Sequence, residues 1–165
     1  MFLCKKSAFC MALGALFLGS ALAMVYHKPA RSDVPFRHFE LYEPQKVVYH
    51  VHKGGGFFGS HNRDLVAIMN NHMRAVGDDY LDLRLVLQGD GIEILQAATK
   101  DEKLAASIRD LRKRGVKFLI CYNTLAGHGI DFRKDLFEVK QEDIVAAGVA
   151  EVARLEREGF VYLKF

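Results

Sequence analysis

Lys46-Val47-Val48-Tyr49-His50-Val51-His52, then Gly54-Gly55-Gly56, then an amphipathic stretch from Ser60 to Val76, decides the fold. The first run is β-branched and apolar, which suits a buried strand. In the third, Leu65, Ile68, Met69, His72, Met73 and Val76 recur at i, i+3, i+4 and i+7 and form one stripe of a helix that Ser60 can cap. Asp78-Asp79 breaks that pattern, and residues 81–87 form a second apolar strand stopped by Gln88-Gly89-Asp90-Gly91. A helical turn at 92–96 follows. Asp101 caps the next helix, with Leu104, Ile108 and Leu111 on its inner face and Gly115 as its stop. Residues 116–121 give a third strand, and 123–127 a short helical turn. Residues 131–140 read as a charged loop with Leu136, Phe137 and Val139 packing inward. Residues 141–158 read as a helix facing inward through Val145, Gly148, Val149, Val152 and Leu155, with Gly159 as its end and 160–165 as a last strand. Strands alternating with amphipathic helices imply parallel strands joined by crossovers. The expected fold class is α/β, a three-layer α/β/α sandwich with a mostly parallel sheet of the flavodoxin or Rossmann kind.

In such sheets ligands bind beyond the carboxyl ends of the strands. Here those ends are 50–56, 88–91 and 121–125, so three separated segments converge on one edge.

The N-terminus reads as an export signal over residues 1–23. Lys5 and Lys6 precede an uncharged, small and apolar run from Ala8 to Leu22, and Ala21-Leu22-Ala23 fits a small-x-small cleavage site. The alternative is an uncleaved anchor in the inner membrane, because the charge-free run is long enough to span a bilayer. A periplasmic or otherwise exported location follows from the first reading. Residues 24–45 hold all three prolines, Pro29, Pro35 and Pro44, and read as an extended arm or tether. Residues 46–165 make one domain. The formal charge is +3, which falls to +1 without Lys5 and Lys6. That balance excludes a basic stripe for nucleic acid, and no membrane contact is expected after cleavage.

Cleavage would also remove Cys4 and Cys10 and leave Cys121 as the one mature thiol. Dithiol chemistry is then excluded, and Cys121 is inert by burial, paired with another chain, or reactive. Its place at a strand end, before a helical turn, brings unpaired N–H groups that favour a thiolate. Asn123 and Thr124 can add side-chain donors. His50 and His52 share one strand face. His52, nearer the loop, is the better candidate to reach the site, either as a ligand-binding residue or with Cys121 in a soft-metal pair. His72 lies on an apolar stripe and reads as a core or interface histidine, whereas His61 and His128 lie on loops. Residues 54–59 match GxGxxG, but the acidic residue expected at the end of the second strand is missing. The glycines read instead as a loop able to close over the edge, with Phe57 and Phe58 as a lid or subunit contact. No serine-nucleophile elbow, Walker loop or carboxylate pair is present, and no cofactor or metal is called for.

Phe118-Leu119-Ile120-Cys121-Tyr122-Asn123-Thr124-Leu125 resembles the cysteine motif of DsrE/DsrF-like proteins. Val86-Leu87-Gln88-Gly89-Asp90-Gly91-Ile92 resembles their segment after the second strand. Residues 147–155 and 158–162 resemble their last helix and strand. The resemblance covers 46–165 and implies an α/β/α fold and homo-oligomers, commonly trimers or hexamers. It implies that Cys121 is the catalytic or carrier residue, holding sulfur as a persulfide and exchanging it with a small sulfur donor or a sulfur-carrier protein. Gly89, Asn123 and Thr124 would line its pocket. The export signal departs from the cytoplasmic relay proteins of that family.

Overall fold

The computed structural model describes residues 42–56 and 59–165. The expected signal at 1–23, most of the arm, and Phe57 and Phe58 lie outside the described residues. All described residues belong to one unit, and none of their helices is long and apolar enough to cross a membrane.

Among the described residues there are five strands and six helices. In chain order they are β1 (Gln45–Val51), α1 (Ser60–Val76), β2 (Leu81–Leu87), α2 (Glu93–Ala97), α3 (Glu102–Lys113), β3 (Lys117–Cys121), α4 (Tyr122–His128), α5 (Phe132–Asp135), β4 (Ile144–Val145), α6 (Gly148–Arg157) and β5 (Val161–Lys164). The sheet order is β4-β3-β2-β1-β5, and every pairing is parallel. The fold is the α/β sandwich expected from the sequence.

Strand alternation sorts the side chains into two cores. Val47, Tyr49 and Val51 of β1, Leu81, Leu83, Leu85 and Leu87 of β2, and Phe118 and Ile120 of β3 face α1, α2 and α3. Val48 and Val86 face the opposite way, against Val152 and Leu155 of α6, with Phe160. The chain therefore lays β1 to β4 side by side with helices on the first face, then returns through α6 on the second face to place β5 beside β1. Keeping every crossover right-handed requires the helix to change faces when the direction of travel reverses. Burying each large apolar side chain contributes about 1.5–3 kcal/mol, and Leu65, Met69, Leu85, Leu87, Leu95 and Ile108 are all at most 1% exposed.

Several local expectations needed revision. Asp101 does cap α3, accepting from the amides of Lys103 and Leu104 at 3.0 and 3.1 Å. Ser60, in contrast, is the first residue of α1 and caps nothing; Gly59 holds the cap position at φ 68°. The buried stripe of α1 is Asn62, Leu65, Met69, Met73 and Val76, and Ile68 is exposed. The helix expected over 141–158 begins only at Gly148. Ile144 and Val145 are β-branched and pair with Ile120 and Cys121, so the sheet takes them before a helix can. Val149, expected inside, is 59% exposed. The glycine loop also has a different reason. A Cβ on Gly54 would lie 1.8 Å from the Asp90 carbonyl oxygen, and one on Gly91 would lie 2.2 Å from that of Val51. These glycines let two turns pack backbone against backbone.

His72, expected as a core or interface histidine, is half-buried and tied to β1 by hydrogen bonds. Its Nδ1 takes the Tyr49 hydroxyl at 3.1 Å and its Nε2–H reaches Gln45 Oε1 at 2.9 Å. Burial pushes its pKa down, and burial does the same to His50. A depressed pKa means stability that is complete above the unfolded value of about 6.5 and lost as pH falls through the folded one. His72→Gln should therefore flatten the acid limb of denaturant stability below pH 6.5, leaving the part due to His50; an unchanged limb would refute this assignment.

Candidate functional site

Cys121 is the last residue of β3 and occupies the N-cap position of α4. β3 and β4 are neighbours, but their connections part: α4 leaves toward the first core, where Leu125 is buried, and α6 leaves across the second. Such a divergence is the topological switch point at which open α/β sheets bind ligands. Here it places the starts of two helices against one sulfur.

The thiol is 3% exposed. Burial alone pushes its pKa up, but the Gly148 amide, the Thr124 hydroxyl and the amides of Thr124 and Asn123 outweigh it, and the thiol is held below the ordinary range. Gly148 opens α6, whereas Asn123 and Thr124 belong to the first turn of α4; these are the N–H groups that helices leave unpaired at their starts. Thr124 is itself fixed. Its Oγ1 accepts from the Gly89 amide at 3.0 Å, which leaves its proton free to point at the sulfur. Gly89, at φ 54°, adopts a conformation that suits glycine.

Thr124→Val removes one donor to the sulfur and orphans the Gly89 amide. Alkylation of Cys121 at neutral pH should slow about fivefold, the worth of a hydrogen bond near 1 kcal/mol. Thr124→Ser should restore it. Equal rates in all three proteins would show that the hydroxyl does not act on the sulfur.

Cys121 sits in an open depression of about 270 Å³ lined by Gln88, Asn123, Thr124, Gly127, His128, Ala147, Gly148 and Val149. Among the described residues no Asp, Glu, Lys or Arg lines it. Val149, which is among the lining residues, is 59% exposed. Gly148 packs tightly: a Cβ there would lie 2.6 Å from Gln88 Oε1, which would have to move, and 3.4 Å from the Cys121 Cβ.

The structure thus brings Cys121, Asn123 and Thr124 together in one depression. Gly89 does not line it but stands behind Thr124 and holds it. His52 is not brought in. β2 separates β1 from β3, and two strand spacings put their ends about 10 Å apart. His52 instead stands beside His50, with ring centroids 5.8 Å apart, and His50 lies 6.1 Å from the Tyr162 ring. His52 is not among the residues lining the depression around Cys121. Among the described residues no group of three or more His, Cys, Asp or Glu side chains is arranged to hold a metal. His128 lines the depression, whereas the His61 ring lies against Phe165 at 6.4 Å.

Gly148 and Gln88 were not singled out by sequence. Gln88 lay within one of the three segments expected to converge on the binding edge but was not named as a site residue. Its Oε1 and the Nε2 of His50 are buried with no hydrogen-bond partner. Gln88 nevertheless lies near enough to His50 to favour the protonated ring, against the larger effect of burial. The two side chains are neighbours without a hydrogen bond of normal geometry between them. The signal for Gly148 was the small-residue run Ala146-Ala147-Gly148, which marks close approach at a helix start.

Comparisons with known proteins follow the same outline. No curated protein matches the chain. Among solved structures, the protein of unknown function MTH1491 from Methanobacterium thermoautotrophicum is similar, with a TM-score of 0.56 and 23% identity, covering 73% of this chain and 99% of that one. At that identity the likeness concerns the fold alone. The model of the DsrE/DsrF-like family matches residues 46–165, which is the whole α/β domain with the depression around Cys121. On that match the chain belongs to the DsrE/DsrF-like family.

Proposed function

We propose that this protein is an exported, oligomeric sulfur carrier in which Cys121 holds sulfane sulfur as a persulfide and passes it on. Family membership suggests a sulfur-relay type of role. The observation that carries the finer reading is the set of four donors around the Cys121 sulfur, which outweigh the effect of its burial.

The chemistry needs one thiolate and no external oxidant. The Cys121 thiolate attacks the outer sulfur of a donor R–S–SH. The Sγ–S bond forms, the donor S–S bond breaks, and R–S⁻ leaves with the electron pair. The outer sulfur and its proton remain on Cys121, and loss of that proton gives a persulfide anion that the same amides can stabilise. An acceptor thiolate then attacks that outer sulfur, and Cys121 leaves as the thiolate it was. The open depression, with the exposed Val149 in its lining, admits a small donor or the tip of a carrier protein. Residues 1–23 would direct export, and copies of the chain would assemble as trimers or hexamers.

The test is transfer. Protein loaded with ³⁵S-labelled persulfide, desalted, and mixed with a small thiol at neutral pH should surrender the label within minutes. Label that stays bound until the protein is denatured would defeat the relay reading and leave Cys121 a dead-end binding site.

A further inference from the structure

Sulfur transfer to Cys121 releases a thiolate, R–S⁻. An ordinary thiol has a pKa of about 8.5 and ends protonated at neutral pH. A proton delivered while the S–S bond breaks therefore makes it the better leaving group. The Gly148, Asn123 and Thr124 donors are turned to Cys121 itself, which leaves the departing sulfur to another group.

Among the described residues lining the depression, His128 is the one titratable side chain besides Cys121, and histidine exchanges its proton near neutral pH. His128 stands one turn after Thr124 in α4, and residues at that i, i+4 spacing share a helix face. One end of this face holds the Thr124 hydroxyl, which hydrogen-bonds the sulfur. The other end holds His128, about 6 Å further along the axis. Helical side chains lean toward the helix start, which here is Cys121. A persulfide attacked in line sets its leaving sulfur two S–S lengths, about 4 Å, from Sγ. Cys121 is 3% exposed and lines this depression, so the leaving sulfur falls within it, toward the turn that carries His128.

Gly127 supplies a second observation. Glycine inside a helix costs about 1 kcal/mol relative to alanine, and Gly127 lies inside α4. Its backbone is not in the left-handed region, and a Cβ there would meet no other part of the fold within 4 Å. Neither turn geometry nor packing asks for glycine here. What its bare Cα does is keep the depression open beside His128. The imidazole is exposed, and no described residue ties it by a hydrogen bond or ion pair, so its nitrogens are open to a ligand.

We infer that His128 is the catalytic acid of the transfer and delivers its proton to the leaving sulfur of the donor. The inference rests on the sulfur-carrier reading of Cys121. The Sγ–S bond forms and the donor S–S bond breaks. The electron pair of the broken bond goes to the leaving sulfur, which takes the imidazolium proton and departs as R–SH. The neutral imidazole then accepts the proton of Cys121–S–SH, which restores the imidazolium and leaves the persulfide anion. No oxidant or reductant is consumed. The acid matters for an alkyl persulfide, whose thiolate is basic, and not for an aryl one, whose more acidic thiol leaves unaided.

The experiment times sulfur loading of the intact chain, read by the mass of the Cys121 peptide, with an alkyl and an aryl hydropersulfide at neutral pH. His128→Gln should slow loading from the alkyl donor at least about tenfold and from the aryl donor less than about twofold. Free imidazole should return much of the alkyl rate to His128→Ala. Alkylation of Cys121 by iodoacetamide, whose departing iodide needs no proton, should be the same in all three proteins. Unchanged loading in His128→Gln would overturn the inference. Equal slowing with both donors, or an equal fall in alkylation, would also overturn it and make His128 a structural contact. Failure of the unmodified chain to load from either donor would overturn the sulfur-carrier reading and this inference together.

Discussion

Cys121→Ser should abolish the sulfur loading proposed for position 121, where the unmodified chain is expected to take up one sulfur atom from a small persulfide. The expected loss is complete, because the step forms a bond to Sγ and a serine hydroxyl at neutral pH is not a nucleophile without a base. Among the described residues lining the depression, His128 is the one titratable side chain other than Cys121, and it is not among the groups that hydrogen-bond the sulfur. The substitution should leave the fold intact, since serine is nearly isosteric and can accept from the same amides. The same site predicts a pH profile. Alkylation of Cys121 should rise with pH to a plateau whose midpoint lies below the free-thiol value of about 8.5, because the Gly148, Thr124 and Asn123 donors favour the anion despite burial. A midpoint above that value would mean that burial wins.

Gly148→Val should be the next most damaging change. Its Cβ would stand 2.6 Å from Gln88 Oε1, 3.2 Å from a Val86 methyl and 3.4 Å from the Cys121 Cβ. The Gln88 amide can swing away, but Val86 is fully buried and cannot. The branched side chain would then fill the depression and push the start of α6 off the sulfur. Overpacking of this kind costs about 1–3 kcal/mol, measurable by denaturant unfolding. Loading and alkylation should fall more than tenfold, since access and the Gly148 amide are lost together. Gly148→Ala should fall between the two, with alkylation reduced and the fold barely changed. Wild-type loading by the valine variant would show that sulfur reaches Cys121 by a route that avoids the start of α6.

Much of this architecture was legible in the sequence. β1 and β2 were readable because each is a long apolar run closed by glycine or polar turn residues. The start of β4 was not, because two β-branched residues at helical spacing from Val149 and Val152 satisfy both patterns, and only pairing with Ile120 and Cys121 decides. Within the site, Asn123 and Thr124 were visible because they follow Cys121 in sequence. Gly148 was hidden because it meets the sulfur across 27 positions, through the placement of β4 beside β3. His52 misled for the opposite reason: period two put it on a shared face with His50, but periodicity carries no information on how many strands separate two ends. The exposed edge of β5 was equally invisible, since an apolar strand at the rim reads like one at the centre.

The central claim is that Cys121 carries sulfur. It is tested most directly by the mass of the Cys121 peptide from protein taken natively from cells and trapped with an alkylating reagent before unfolding. The account predicts a population of that peptide heavier by one sulfur atom, lost on treatment with a reducing thiol. A Cys121 peptide that is always the bare thiol, in native protein and after exposure to a persulfide donor alike, would contradict it.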